Sequence, residues 1–418
     1  MSDLINRNYE SARTAYAGLG VDSDAALTAL NNVPLSLPCW QGDDVAGFES
    51  RTGGTDGGIK ATGNHPGKAR NADELRKDLS FAASLIPGPS RINIHAIYAE
   101  TGGRSVPRDR LGPEHFDRWI EWAKTGGFGL DFNPTFFAHP LADSGFTLSN
   151  RDRQIREFWI RHAKQSRIIA SAMGSLRPSP CVCNLWIPDG SKDQPVSRME
   201  YRSFLKDSLD EIYSSRVAGV EDAVESKVFG IGSESFVTGS HEFYLAYALQ
   251  QKLLLCLDMG HFHPTESVAD KISSLLLFFP ALLFHVSRGV RWDSDHVVIQ
   301  NDELTAMAQE AVRSGGLGRL RFALDYFDAS LNRIAAWVIG ARATRKALLY
   351  ALLEPIGLMR KAEESGNLAE RLGLLEECRT LPFGAIWDKY CIDSKVPVGT
   401  DWMIPVRKYA SEVLDGRG

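Results

Sequence analysis

The sequence predicts an α/β protein: a (β/α)8 TIM barrel followed by an α-helical C-terminal extension. Three observations predict it. Eight short apolar or β-branched runs recur up to about residue 329, helix-patterned stretches lie between them, and strand-like runs then stop. Strands that are apolar along most of their length are buried on both faces, as in parallel sheets. Eight repeats of the alternation suit a closed barrel better than an open sheet.

The runs are VPLSLPCW (33–40), RINIHAIY (91–98), GFGLDFNP (127–134), PCVCNLWIP (180–188), DAVESKVFGIG (222–232), KLLLCLDMG (252–260), ALLFHVS (281–287) and RLRFALDYF (319–327). Between them, stretches such as ADELRKDLSFAASLI and RMEYRSFLKDSLDEIYSSR carry the apolar spacing of amphipathic helices. Residues 1–328 therefore read as the barrel. Residues 329–418 are almost all helix formers, with Pro355 as a break, and read as an extension suited to oligomer contacts. One connection is long. GFESRTGGTDGGIKATGNHPGKARNADEL (47–75) is Gly-rich and reads either as a mobile, functional loop or as an ordinary surface excursion. Its GGTDGG lacks the Gly-Lys-Ser/Thr of a phosphate-binding loop.

Composition narrows the function. The chain has 418 residues, 44% hydrophobic and 24% charged, which is ordinary for a globular protein with a sizeable core. A net charge of −5 and the lack of a Lys/Arg cluster exclude a polyanion-binding surface, so no nucleic-acid partner is expected. The polar N-terminus has no signal-peptide pattern, and the longest apolar stretch, SSLLLFFPALLFHV, holds a proline and is too short to span a bilayer. The expectation is a cytoplasmic protein without a membrane partner. Six cysteines, at 39, 181, 183, 256, 378 and 391, form no CxxC pair and read as reduced, buried thiols.

The ionisable residues fall at the strand ends. In a barrel, polar groups at the C-terminal ends of strands face the active site. Strand five offers Glu225 and Lys227, two apart and so on one face. Strand six ends at Asp258 with His261 just beyond, strand seven ends at His285 with Asp293 and Asp295 in its loop, and strand eight ends at Asp325. Five carboxylates in one cavity repel one another unless positive charge sits among them. Two divalent cations supply four charges and Lys227 a fifth, so the count balances for a two-metal site. Oxygen donors with two imidazoles and no thiolate favour Mn2+, Mg2+ or Co2+ over structural zinc.

These same residues carry a family pattern. AVESKVFG, LCLDMGHFHPTE, FHVSRGVRWDSDHV and FALDYFDASLNRIAAWVIGARA closely resemble the L-rhamnose isomerases, as do NLWIPDGSKD and VPLSLPCWQGDDVAGFE. The resemblance covers nearly the whole chain. It implies a cytoplasmic homotetramer that interconverts L-rhamnose and L-rhamnulose with two divalent metal ions per subunit, usually Mn2+, with Co2+, Mg2+ or Zn2+ as alternatives. It also implies a ligand set: Glu225, Asp258, His285 and Asp325 for a structural ion, and a bridging Asp258 with His261, Asp293 and Asp295 for a catalytic one.

The chemistry suits those residues. Aldose–ketose isomerisation moves a hydrogen between C1 and C2 and a proton between O1 and O2. Metal ions can polarise the carbonyl and acidify a hydroxyl or water, so the expected route is a hydride shift with a metal-bound water moving the O1/O2 proton, steered by Asp295. A cis-enediol route with a carboxylate base remains the alternative. Lys227 can stabilise negative charge developing on O1. By resemblance His95, at the end of strand two, would contact the ring oxygen, and Trp186, ending strand four, would form an apolar wall against a sugar face. Trp40 is a weaker candidate for the same wall. The alternative function is another metal-dependent sugar isomerase or epimerase with a different preferred substrate.

Overall fold

Eight parallel strands close on themselves. They are β1 (Leu35–Pro38), β2 (Ser90–His95), β3 (Gly129–Asn133), β4 (Cys181–Leu185), β5 (Val220–Glu225), β6 (Leu254–Asp258), β7 (Leu282–Val286) and β8 (Leu320–Leu324). Each pairs with its sequence neighbours, and β1 closes the ring against β8. The structure, a computed structural model, describes residues 2–49, 61–175, 179–227, 234–290 and 296–417. All eight expected runs contain or overlap a strand, so the barrel expectation holds. Most strands end before their apolar runs do. In the fifth run the strand ends at Glu225, and residues 228–232 lie outside the described residues.

Side chains alternate between the two faces of each strand, which creates two separate cores. One lies between the sheet and the surrounding helices. The other is a small apolar cluster inside the barrel: Val182, Ala223, Leu254, Cys256, Leu283 and Ala323. The interior beside β1 to β4 is polar instead. Ser36, Arg91, Asn93, Asp131, Asn133 and Asn184 line a cavity of about 220 Å³ there.

The helices start where local chemistry tells them to. Asn71 caps the helix Ala72–Ala83 by accepting from Glu74 N at 2.9 Å, and Asn301 caps Asp302–Arg313 from Leu304 N at 3.0 Å. Asn332 begins a 20-residue helix, Arg333–Leu352, that is buried on nearly every side. It packs against Asp302–Arg313 and against Ala72–Ala83. That is the ring position next to β8, within the stretch that the sequence reading placed in the extension. Buried arginines bolt it down: Arg345 donates to the Val33 carbonyl at 3.2 Å and Arg342 to the Leu85 carbonyl at 3.1 Å. The helices after it wrap back over the outside. Phe383–Asp393 packs on the N-terminal helix Ser2–Ala17, and Arg417 reaches Asp78 at 2.6 Å.

Among the described residues, no helix is long and apolar enough to cross a membrane. All six cysteines are buried and unpaired.

Candidate metal centre and active site

Register across the sheet brings the acids together. Asp258 lies level with His285 across β6 and β7, and Glu225 lies level with Cys256 across β5 and β6. Asp325 follows directly on β8 and is pinned by its N–H to the Val286 carbonyl at 3.1 Å. Ligand atoms of Glu225, Asp258, His285 and Asp325 consequently lie within 4.8 Å of one another. His285 is the hub: its Nδ1 is 3.3 Å from Glu225 Oε1, 3.5 Å from Asp258 Oδ2 and 3.1 Å from Asp325 Oδ2. His261 Nδ1 stands 3.3 Å from the same Glu225 oxygen.

Each carboxylate divides its two oxygens between holding and facing. Glu225 Oε2 accepts from Asn184 Nδ2 at 2.5 Å, which leaves Oε1 for the centre. Asp258 Oδ1 accepts from Ser287 Oγ at 2.7 Å and from Gly260 N at 2.6 Å, which leaves Oδ2. Asp325 Oδ1 accepts from the Trp40 indole at 3.2 Å, which leaves Oδ2. Three free oxygens, each on a carboxylate locked by a neighbour, converge on one point. Outer donors of this kind orient metal ligands.

The electrostatics ask for a cation. Burial opposes charge on His285, yet Cys256, Glu225 and Asp325 around it raise its pKa well above the ordinary value. Burial also raises Asp325, and only its contact with His285 restrains the rise. A cluster that charges a wholly buried imidazole is a strong well for positive charge. The donors that face it are carboxylate oxygens and imidazole nitrogens, the set that suits a divalent ion. The residues fit the metal that the family pattern implies.

The other expected site residues divide. Lys227 is 4% exposed; its Nζ donates to the Pro188 carbonyl at 2.8 Å and pairs with Glu234. His95 meets Thr135 Oγ1 through Nδ1 at 3.1 Å, and burial holds its pKa down at about 3, so the ring is neutral. Trp186 is half-buried, and its indole N–H is buried with no hydrogen-bond partner among the described residues. The rings form a chain along β1 to β4: Trp40 to His95 at 4.8 Å, His95 to Phe137 at 5.6 Å, Phe137 to Trp186 at 6.2 Å. The mouth thus has an aromatic half and a carboxylate half. Asp293, Asp295 and the loop residues 50–60 lie outside the described residues.

With this geometry in place, relatives become informative. The profile of the L-rhamnose isomerase family matches residues 3–417. The chain belongs to the L-rhamnose isomerase family. Its curated relatives include L-rhamnose isomerases from Rhodopirellula baltica, 53% identical over 99% of this chain and 97% of that protein, and from Yersinia pseudotuberculosis, 53% identical over the full length of both. The family is one of aldose–ketose isomerases, and this chain is an enzyme of that class. Among solved structures, a D-allulose 3-epimerase from Methylomonas sp. is similar at a TM-score of 0.47 and 11% identity, over 76% of this chain and 96% of that one.

Four residues of the site escaped the sequence reading. Asn184 and Ser287 fall within NLWIPDGSKD and FHVSRGVRWDSDHV without a role assigned to them there, and Glu234 lies outside the quoted motifs. In sequence Cys256 reads as a small hydrophobe, and the ligand set as free of thiols. Cys256 is buried, as that reading expects, and its Sγ also lies within 4.8 Å of ligand atoms of Glu225 and His285. The available signal was the two-residue spacing from Cys256 to Asp258, which places both on one face of β6.

Proposed function

We propose that this chain interconverts L-rhamnose and L-rhamnulose at a centre that holds two divalent cations, with Mn2+ the first candidate. The observation that carries the reading is the convergence of Glu225, Asp258, His285 and Asp325 within 4.8 Å, in a chain of this family. These four would hold one ion. Asp258, His261, Asp293 and Asp295 would hold the second. Bound there, the ions would supply Lewis-acid polarisation of two adjacent sugar oxygens.

The protein's own groups do the rest. Lys227, held by Glu234 and the Pro188 carbonyl, keeps one N–H for O1 and stabilises the negative charge that develops there. Asp295 would steer the proton between O1 and O2, while the hydrogen passes between C2 and C1 as a hydride. His95, kept uncharged at neutral pH by its lowered pKa, can donate its one ring N–H to the ring oxygen. The aromatic chain gives a sugar an apolar face to lie on, and the unpartnered Trp186 N–H offers it a donor. The exposed Leu277 and Phe278 support a subunit contact in a homotetramer, which sedimentation would reveal. A cytoplasmic location belongs to the same reading.

The test is conversion of L-rhamnose to L-rhamnulose by metal-stripped protein, before and after Mn2+, with Asp258→Asn in parallel. Activity that returns with Mn2+ only in the unmutated protein supports the reading. Full activity in the stripped protein overturns the metal role. Metal binding without rhamnose turnover overturns the substrate.

A further inference from the structure

The pocket carries a ligand that the oxygen-rich set does not use. Cys256 and Asp258 sit on the same face of β6, so the thiol lies one layer below the carboxylate, inside the barrel. Across the sheet it is level with Glu225. Cys256 Sγ, a Glu225 carboxylate oxygen and a His285 ring nitrogen lie within 4.8 Å of one another. All three residues are nearly inaccessible, at 1%, 3% and 3% exposure. His285 Nε2 is buried with no hydrogen-bond partner among the described residues.

We propose that Cys256, Glu225 and His285 form a second, sulfur-containing binding mode that takes thiophilic divalent cations such as Cd2+. The inference rests on reading the carboxylate cluster as a metal centre. It differs in which ions the pocket admits and where they sit. Zinc-like bonds of about 2.0–2.3 Å place two donors on one ion at most ~4.5 Å apart, so the three atoms need only small side-chain adjustments to share a cation. The charge closes: one thiolate and one carboxylate neutralise a divalent ion. Binding replaces the Sγ–H bond with an Sγ–metal bond and releases the proton to solvent, with no change in oxidation state.

Selectivity follows from the surroundings. Below the mouth, the interior beside Cys256 is Val182, Ala223, Leu254, Leu283 and Ala323, which offer no oxygen donor. A hard ion such as Mn2+ or Mg2+ gains little from sulfur and stays with Asp258 and Asp325. A soft ion exchanges those two carboxylates for the thiolate and moves deeper. Because Glu225 and His285 belong to both modes, a soft ion in the lower mode excludes the upper one. Thiophilic cations then inhibit by displacement within the pocket.

The experiment titrates metal-stripped protein with Cd2+ and, separately, with Mn2+, in the unmutated chain and in Cys256→Ser. The readouts are sulfur-to-cadmium charge-transfer absorption in the ultraviolet and equilibrium retention of each ion. The expected result is one equivalent of Cd2+ with the sulfur band in the unmutated protein. In Cys256→Ser the band is lost and Cd2+ affinity falls about tenfold or more, while Mn2+ is still retained. Should Cys256→Ser fail to fold, as failed Mn2+ retention and lost circular dichroism would show, Cys256→Ala makes the same comparison. Cadmium bound without the band overturns the proposal, as does a band that persists in the variant and so belongs to one of the five other cysteines. Mn2+ retention with either of those outcomes leaves the metal centre standing. Retention of neither ion removes both.

Discussion

Asn184 donates its amide hydrogen to Glu225 Oε2 at 2.5 Å, from β4 to the end of β5, while its own Oδ1 is buried with no partner among the described residues. One neutral side chain thereby decides which oxygen of Glu225 faces His285. Replacing it with Leu keeps the bulk and removes the donor. Asn184→Leu is expected to weaken divalent-metal retention by roughly 10–100-fold, read by competition with a chelating dye. Unchanged retention would mean that packing alone holds Glu225.

Metal should also be visible as stability. An ion that binds only the folded chain adds about 2.7 kcal/mol at a free concentration of 100 times its Kd. Mn2+ is expected to raise the thermal midpoint of the stripped protein by a few degrees and to leave that of Asp325→Asn nearly unmoved. Scanning calorimetry with and without the ion checks both.

Lys227 separates two roles. If it donates to O1, Lys227→Met lowers kcat by about 10²–10³-fold and leaves Mn2+ retention close to that of the parent. If it only balances the carboxylates, Mn2+ retention shifts and added metal restores the rate. Turnover measured across a metal titration distinguishes the two, and we expect the first.

His162 gives a pH signature away from the metal pocket. Its Nε2 accepts from Thr135 N at 2.9 Å and its Nδ1 faces the Arg108 carbonyl at 3.0 Å. Burial lowers its pKa from 6.5 to about 3. The unfolded chain therefore binds a proton below about pH 6.5 that the folded chain refuses until about pH 3. Stability present above the higher value is lost as pH falls towards the lower, by up to about 1.4 kcal/mol per pH unit. His162→Gln should flatten this slope relative to the parent, as read by urea unfolding at a series of acidic pH values.

Gly42 tests the wall beside the mouth. A Cβ there would lie 2.3 Å from Leu75 Cδ1 and 2.6 Å from Trp337 Cη2. Trp337 cannot swing away freely, because its indole donates to the Pro38 carbonyl at 2.8 Å. Gly42→Ala is expected to cost about 1–3 kcal/mol in denaturant unfolding. The adjoining Gln41 binds the Asp328 backbone at 3.0 and 2.8 Å, so the strain should also reach the Asp325 loop and weaken metal retention.

The sequence by itself determined the barrel, because burial on both faces writes a strand as a local apolar run that needs no partner to be recognised. It also determined that Glu225, Asp258, His285 and Asp325 lie at or beside strand ends, and the family motifs tied those acids and histidines to one chemistry. Tertiary structure alone decided the lateral relationships. Asn184 reaches Glu225 from another strand, Ser287 turns back to Asp258, and the Trp40 indole crosses from just past β1 to Asp325 at the barrel's closure. Cys256 became a neighbour of the metal ligands only when the register set it level with Glu225. The helix Arg333–Leu352 likewise reads as one more helix until closure seats it between the helices beside β8 and β1. Periodicity reports which face a residue occupies, but not what stands opposite, since that depends on how strands far apart in sequence are aligned.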